Sequence, residues 1–138
     1  MIRRIGLLLV TALAAVAVHA DGIAVPSVSQ EALLERQQQA DPALLVLDVR
    51  TPEEYASGHV PGAVNIPYDQ VGSRLAELPR DKDIVVYCRS GRRAQLAADV
   101  LAANGYTHLQ HLQGDIAAWL EQGRPVEKPA GTPPPPQP

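Results

Sequence analysis

Two short runs of almost uninterrupted apolar residues, 44–49 and 84–87, most strongly limit the folds open to this chain. Runs of this length without polar alternation are typical of strands that are covered on both faces, as in parallel sheets. Segments with helix-like patterns lie before, between and after them, so strands and helices alternate along the chain. The sequence therefore predicts an α/β fold with a central parallel sheet and helices on both faces.

Residues that start and stop helices define the other predicted elements. Ser29 is a favourable N-cap, and Thr51 followed by Pro52 is a favourable start for a short helix. Helices are predicted over 29–39, from 51 to 55, over 68–78, from just after the 88–93 loop to 104, and over 115–122. Shorter strands are predicted over 63–66 and 109–112.

The first 20 residues have the layout of a secretory signal peptide, with a basic start, an apolar stretch over 5–18 and small residues after it. The stretch is too short to span a bilayer comfortably, and an uncleaved membrane anchor is the alternative. Cleavage is expected after Ala17 or, preferably, after Ala20, which leaves the polar Asp21 at the new N-terminus. We therefore expect an exported protein, periplasmic in a bacterium, with no stable membrane association after cleavage.

Charge and length limit the function and the number of domains. The chain has 138 residues and a net charge of −3, which becomes more negative when residues 1–20 remove two arginines and no acid. An acidic protein of this kind has no electrostatic support for a nucleic-acid partner. The length suits one domain. We predict a lead-in over 21–28, the domain over 29–126, and a proline-rich, disordered tail over 127–138.

Cys88 is the single cysteine of the chain, so no internal disulfide can form. It lies between the strand-like run 84–87 and a helix-like segment, at the carboxyl end of a strand, where parallel sheets place their sites. Backbone N–H groups converge at such a junction, and three arginines lie close by, at positions 89, 92 and 93. A thiolate nucleophile is favoured there, although position alone also allows a buried, inert thiol.

Three motifs resemble the signatures of rhodanese-like sulfurtransferases. The loop 88–93, Cys-Arg-Ser-Gly-Arg-Arg, is similar to the family's C-x-x-G-x-R active-site loop. Residues 47–67 resemble its D-V-R…G-H-[IV]-P-G-A-x-N-I-P signature. Residues 112–126 resemble its L-x-G-G-x-x-x-W…G-x-P-V pattern, except that Asp115 stands in place of the second glycine and puts the local turn in question. The motifs follow the family's order, and the resemblance extends from about 44 to 126.

The resemblance implies a sulfurtransferase that forms a persulfide on Cys88. The donor would be thiosulfate or a similar small anion, and the acceptor a thiol, a dithiol protein or cyanide. The resemblance implies no cofactor, and the sequence shows no metal-ligand spacing. The backbone N–H groups of the loop would hold the donor sulfur, with the side chains of Arg89 and Arg92 facing solvent. The predicted substrate-binding residues are Arg89, Ser90, Gly91, Arg92 and Arg93.

Supporting roles are predicted for residues near other strand ends. Asp48 and Arg50 are expected to form an ion pair that holds the site, and Arg93 is expected to point inward, toward Asp48. His59 is expected to be a hydrogen-bonded structural histidine rather than a general base. No site role is predicted for the two strand-flanking histidines, His108 and His111.

Two alternatives remain open at this stage. Cysteine phosphatases and arsenate reductases of this fold class use C-x5-R loops, but here Arg93 is five residues after the cysteine and Ala94 is six after it. The shorter loop makes a smaller cradle, suited to one sulfur atom. The second alternative is a catalytically silent rhodanese-like binding module. Such modules usually lack the cysteine, which this chain retains.

Overall fold

The computed structural model describes residues 22–129, so the predicted signal peptide and the last nine residues of the predicted tail lie outside it. Within this part of the chain, no helix is long and apolar enough to cross a membrane. The strands are β1 Ser27–Val28, β2 Leu44–Asp48, β3 Val64–Asn65, β4 Asp83–Tyr87 and β5 Leu109–Leu112. They pair in parallel in the order β1-β5-β4-β2-β3, which confirms the predicted parallel sheet.

Helices cover both faces of this sheet, as predicted. The helices are α1 Gln30–Gln38, α2 Pro52–Ser57, α3 Arg92–Ala103 and α4 Asp115–Glu121. Leu33 of α1 and Trp119 of α4 are fully buried in the core on one face, and Tyr55 of α2 packs against the same core. Ala97 and Leu101 of α3 are fully buried in the core on the other face, which also contains Cys88.

The predicted helix starts at Ser29 and Thr51 are confirmed. The side chain of Ser29 accepts a hydrogen bond from the backbone N–H of Ala32 at 3.1 Å. Thr51 and Glu54 form a capping box, because each side chain accepts from the other residue's backbone N–H. Pro52 occupies the first turn of α2, where its missing N–H costs nothing. The capping box also fixes the position of Glu54, which matters for the site.

The predicted helix over 68–78 is wrong. Two short 3-10 helices, Val71–Ser73 and Leu75–Glu77, stand in its place. Gly72 weakens any helix here, and the hydroxyl of Tyr106 bonds the carbonyl oxygens at Leu75 and Leu78, at 2.9 and 2.8 Å. These carbonyls are therefore held by a partner outside the segment, which favours an irregular, pinned connection over a continuous helix.

No strand was predicted in the lead-in 21–28, and the structure shows that its last two residues form strand β1. Ser27 is in register with His111, and Val28 with Leu112. The backbone N–H of His111 bonds the carbonyl of Pro26 at 2.9 Å. A two-residue strand has too little apolar pattern to be found from sequence, and its pairing depends on the exposed edge of β5.

Candidate active site

Cys88 follows β4, which lies in the middle of the sheet, and the residue is only 1% exposed. The backbone N–H of Gly91 points back to its Sγ atom at a distance of 3.0 Å. Gly91 has a φ of 113°, a left-handed conformation that permits this curl and that residues with a side chain avoid. Helix α3 starts at the next residue, so its unpaired first-turn N–H groups border the same loop.

Residues at the start of α4 hold the cysteine loop in place through three hydrogen bonds. The backbone N–H of Ile116 donates to the carbonyl of Cys88 at 3.1 Å, and that of Ala117 donates to the carbonyl of Arg89 at 3.2 Å. The carboxylate of Asp115 accepts from the backbone N–H of Cys88 at 3.0 Å. The main chain of the cysteine is therefore tied on both sides of its Cα atom.

Asp115 occupies the position where the family pattern has glycine, and the turn is retained. Gly114 has a φ of 76° and Asp115 a φ of 54°, so the aspartate takes the left-handed conformation that a glycine would adopt. The residue is 2% exposed. Its Oδ1 atom also accepts a hydrogen bond from Nε2 of His111 at 2.9 Å. This hydrogen bond raises the pKa of His111 above its ordinary value of 6.5, although partial burial opposes the shift.

His111 was predicted to be an ordinary strand-flanking residue, and the structure places it beside the loop instead. A methyl group built on Gly91 would lie 3.1 Å from Oδ2 of Asp115 and 3.3 Å from Cε1 of His111. The sequence contained two signals for this contact: the spacing of four residues between histidine and aspartate, and the aspartate's departure from glycine. His108, at the opposite end of β5, is mostly exposed.

The loop arginines divide into two kinds. Arg89 and Arg92 are exposed, as predicted, and Ser90 beside them is also exposed. The predicted contact of Arg93 with Asp48 is wrong. The guanidinium of Arg93 instead forms two hydrogen bonds with the carboxylate of Glu54, at 2.7 and 3.0 Å. These bonds lower the pKa of Glu54 to about 2, and partial burial opposes them.

Asp48 already has other partners, which explains why Arg93 turns elsewhere. Asp48 is fully buried, and its Oδ2 atom accepts from Nη2 of Arg50 at 2.7 Å and from the hydroxyl of Tyr87 at 2.7 Å. Arg50 also donates to the carbonyl of Gly58, and the Tyr87 hydroxyl accepts from the N–H of Val60. Burial and the charge of Asp48 raise the pKa of Tyr87. The network joins β2, β4 and the loop after α2.

His59 is buried and hydrogen-bonded, as expected of a structural histidine. Its Nδ1 atom lies 2.9 Å from the carbonyl of Tyr55, and the two rings are stacked at 3.6 Å. Its backbone pairs with that of Glu127. These contacts tie α2 to the end of the domain. Across residues 22–129, no three side chains of the metal-binding types cluster closely enough to hold an ion.

A hollow of about 320 Å³ opens beside the cysteine loop. Its walls include the side chains of Arg50 and Glu54 on one side and of Arg89, Ala117 and Leu120 on the other. Leu120 is 54% exposed. The hollow therefore combines two arginines and a glutamate with an apolar rim close to the loop.

Comparisons with known proteins give one consistent result. A family model described as "Rhodanese-like domain" matches residues 29–122. A sulfurtransferase from Allochromatium vinosum is 39% identical over 107 residues, 78% of this chain and 99% of the relative. The thiosulfate sulfurtransferase PspE from Escherichia coli is 44% identical over 75 residues, 51% of this chain and 72% of PspE.

Solved structures agree with the sequence matches. The crystal structure of a rhodanese-related protein from Thermoplasma volcanium has a TM-score of 0.65 and 32% identity, and the match covers 74% of this chain and 97% of that one. The solution structure of the rhodanese-like domain of the Alr3790 protein from Anabaena sp. has a TM-score of 0.68 and 31% identity, and covers 80% and 89%.

Proposed function

The chain belongs to the rhodanese-like domain family, and on that premise we propose that it is a thiosulfate sulfurtransferase that carries a sulfane sulfur on Cys88. The sulfurtransferase relatives support an enzyme of this family and sulfur transfer in general. Thiosulfate as donor is our finer proposal, and it is supported by the name of PspE, which matches about half of this chain.

The observation that carries the proposal is the hydrogen bond from the Gly91 N–H to Sγ of Cys88, at 3.0 Å. A donor already aimed at the sulfur stabilises the negative charge of a thiolate without reorganisation when the reaction begins. The unpaired N–H groups of the first turn of α3 border the same loop, and such groups favour a second anionic sulfur there. The loop therefore suits a sulfur that stays anionic before and after transfer.

The proposed reaction has two steps that balance. In the first step, the Cys88 thiolate attacks the outer sulfur of thiosulfate, a sulfur–sulfur bond forms, and sulfite leaves with the electron pair of the broken bond. In the second step, a thiophilic acceptor such as cyanide attacks the outer sulfur of the persulfide and regenerates the thiolate. The acceptor must come from outside the chain, because Cys88 is its single cysteine.

The charges around the loop support an anionic donor. Arg89 and Arg92 are exposed, and Arg89 also borders the adjacent hollow. Such cations raise the local concentration of a small dianion. Arg93 is bound to Glu54 instead of facing the loop. In a phosphatase an arginine must bind the phosphoryl oxygens. Because Arg93 is already paired with Glu54, the site supports sulfur transfer over phosphate chemistry.

Thiocyanate formation from thiosulfate and cyanide tests the proposal. We expect the wild-type protein to form thiocyanate and the Cys88→Ser variant to form none above the uncatalysed rate. After incubation with thiosulfate alone, the intact mass should increase by one sulfur atom, and cyanide should remove the increment. Equal rates for wild type and Cys88→Ser would identify a silent binding module instead. Hydrolysis of a phosphate ester that depends on Cys88 would favour the phosphatase alternative.

We also propose export to the periplasm, on the support of the basic, apolar and small-residue pattern of residues 1–20. Expression of the full chain in a Gram-negative host should place the protein in the periplasmic fraction. N-terminal sequencing should then begin at Asp21, or at Val18 if the alternative site is used. Recovery of the unprocessed chain in the membrane fraction would support the uncleaved anchor.

A further inference from the structure

The pair formed by His111 and Asp115 is the feature of the site that the motifs do not account for. Asp115 is charged, 2% exposed and held in a left-handed conformation. Burial of a carboxylate is unfavourable, and a left-handed backbone is unfavourable for any residue that has a side chain. A residue that combines both, directly beneath a nucleophile, indicates a function for its side chain.

We propose that Asp115 and His111 form a positioning pair for Cys88, in which Asp115 fixes the main chain of the cysteine and protonated His111 balances the charge of that carboxylate, so that reaction with anionic reagents depends on the protonation of His111. The inference deepens the proposed sulfur transfer and rests on it where thiosulfate is concerned.

Geometry supports the positioning part of the proposal. A single oxygen, Oδ1 of Asp115, accepts from the Cys88 N–H at 3.0 Å and from Nε2 of His111 at 2.9 Å. Because an ionised carboxylate can only accept, Nε2 carries a proton in both states of the imidazole, and the other ring nitrogen titrates. The other carboxylate oxygen lies against Gly91, whose N–H bonds the cysteine sulfur.

The charge balance follows from the same contacts. With His111 protonated, the pair is neutral beneath the loop. When His111 loses its proton, the pair carries one negative charge close to the place where a dianionic donor must arrive. Because the hydrogen bond with Asp115 raises the pKa of His111, the neutral pair persists to higher pH than an isolated histidine would allow. Reaction with anions should therefore weaken as pH rises through the folded-state pKa.

The charged and titratable groups of the neighbouring elements are few. Asp115 of α4 contacts the imidazole of His111, and Cys88 lies in the adjacent loop. Helix α3 carries Asp99, whose carboxylate is hydrogen-bonded by Gln95 and by the segment before β1. Arg92 lies at the start of α3. Residues 22–28, which pair with the outer edge of β5, are uncharged.

Alkylation of Cys88 by two reagents of different charge tests the pair without relying on sulfur transfer. Iodoacetate is an anion and iodoacetamide is neutral, and both react with the thiolate, so the ratio of their rates cancels the ionisation of the thiol. In wild type, we expect the ratio of iodoacetate to iodoacetamide rates to fall roughly threefold to tenfold between about pH 6 and about pH 9. Persulfide formation from thiosulfate, measured in single turnovers by intact mass and divided by the iodoacetamide rate at the same pH, should show the same alkaline loss.

Three variants make the result specific. His111→Asn should give a ratio that is flat with pH and low throughout. Asp115→Asn should move the midpoint of the fall toward the ordinary histidine value, as should the NMR titration of the His111 ring protons. His108→Asn is the matched control, because His108 immediately precedes the same strand and is mostly exposed, and it should behave as wild type.

The outcomes separate this proposal from the sulfurtransferase proposal. A flat ratio in wild type, or a His111→Asn profile that superimposes on wild type, overturns the pair even if thiosulfate loads the cysteine. If the ratio of iodoacetate to iodoacetamide rates falls with pH but thiosulfate does not load Cys88, the positioning pair is supported and thiosulfate as donor is overturned. If neither iodoacetate nor iodoacetamide labels Cys88, the positioning pair is overturned, whereas the mass increase with thiosulfate decides the sulfurtransferase proposal separately.

Discussion

Gly91 meets three separate demands in one residue. Its φ of 113° requires the conformational freedom of glycine, its N–H bonds the cysteine sulfur, and its missing side chain leaves room for Asp115 and His111. The first demand belongs to the loop motif and follows from sequence. The third follows only from the structure, because the residues concerned lie more than 19 positions away in the chain.

Replacement of Gly91 by alanine should therefore cost both stability and activity. We expect a loss of about 1–3 kcal/mol in the free energy of unfolding, from backbone strain together with the displaced carboxylate. We also expect a loss of at least roughly tenfold in kcat/KM with thiosulfate, because the donor N–H moves away from the sulfur. Chemical denaturation and the thiocyanate assay measure the two effects.

Gly123→Ala is the matched control for Gly91→Ala. Gly123 also has a left-handed φ, 66°, but no atom lies within 4 Å of a methyl group built on it. It should lose about 1 kcal/mol of stability from strain alone and keep its activity. Equal activity losses in the two variants would show that strain, not crowding at the loop, is responsible.

The loop motif predicts some residue roles correctly but not the partner of Arg93. The loop sequence predicted the cysteine, the glycine and the exposed arginines, because those roles depend on local backbone. The partner of Arg93 depends on which carboxylate remains available after folding. Asp48 already accepts hydrogen bonds from Arg50 and Tyr87. Arg93 therefore pairs with Glu54, 39 positions away in the sequence. Sequence alone does not reveal that competition.

At the scale of elements, the pair of Glu54 and Arg93 links α2 to the first turn of α3. The capping box of α2 orients Glu54, and Arg93 lies two residues beyond the loop glycine. Helix caps of this kind were predictable, because the relevant side chains are neighbours in sequence. The irregular segment after β3 was not, because the hydroxyl of Tyr106, from after α3, decides its conformation.

Glu54→Gln tests the link between α2 and α3. Glutamine preserves the capping box, so the substitution removes mainly the charge. Since the pair is partly exposed, we expect a loss of about 0.5–1 kcal/mol in the free energy of unfolding at neutral pH. The folded-state pKa of about 2 is below the ordinary value of 4.5. The stabilisation is therefore complete above pH 4.5 and disappears as pH falls toward about 2.

Urea denaturation of wild type and Glu54→Gln at neutral and acidic pH measures this difference. Glu53→Gln is the control, because Glu53 lies in the same turn of α2 and is exposed. The control should match wild type at every pH. A difference for Glu54→Gln that stays constant down to pH 2 would contradict a charge effect.

At the scale of the whole molecule, the sheet extends beyond the segment that matches the family model. The match starts at residue 29, whereas β1 and the residues before it close the edge of β5. The backbone N–H groups of His111 and Gln113 bond carbonyls of Pro26 and Val28. The α/β class and parallel sheet were predictable from the apolar runs. This edge strand was not, because its two residues carry no pattern of their own.

Removal of residues 22–28 should lower the free energy of unfolding by about 2–4 kcal/mol, because the ladder hydrogen bonds of β1 and the burial of Val28 are lost. It should also reduce activity, because the strand that carries His111 loses its neighbour. Removal of residues 132–138, an equal number from the predicted tail, should change neither quantity. Thermal unfolding and the thiocyanate assay report both, and equal stability of the two truncated proteins would contradict a structural role for β1.

The depth of Cys88 limits which molecules can meet it. Cys88 is 1% exposed and so out of reach of the cysteine on another folded copy, and two copies do not readily become crosslinked under oxidising conditions. The persulfide that we propose would add a second sulfur about 2 Å from Sγ of Cys88. A bulky acceptor can then touch the cargo without touching the carrier. On the proposed mechanism, a large thiol would therefore react with the outer sulfur of the loaded protein but would not reach the sulfur of the unloaded one.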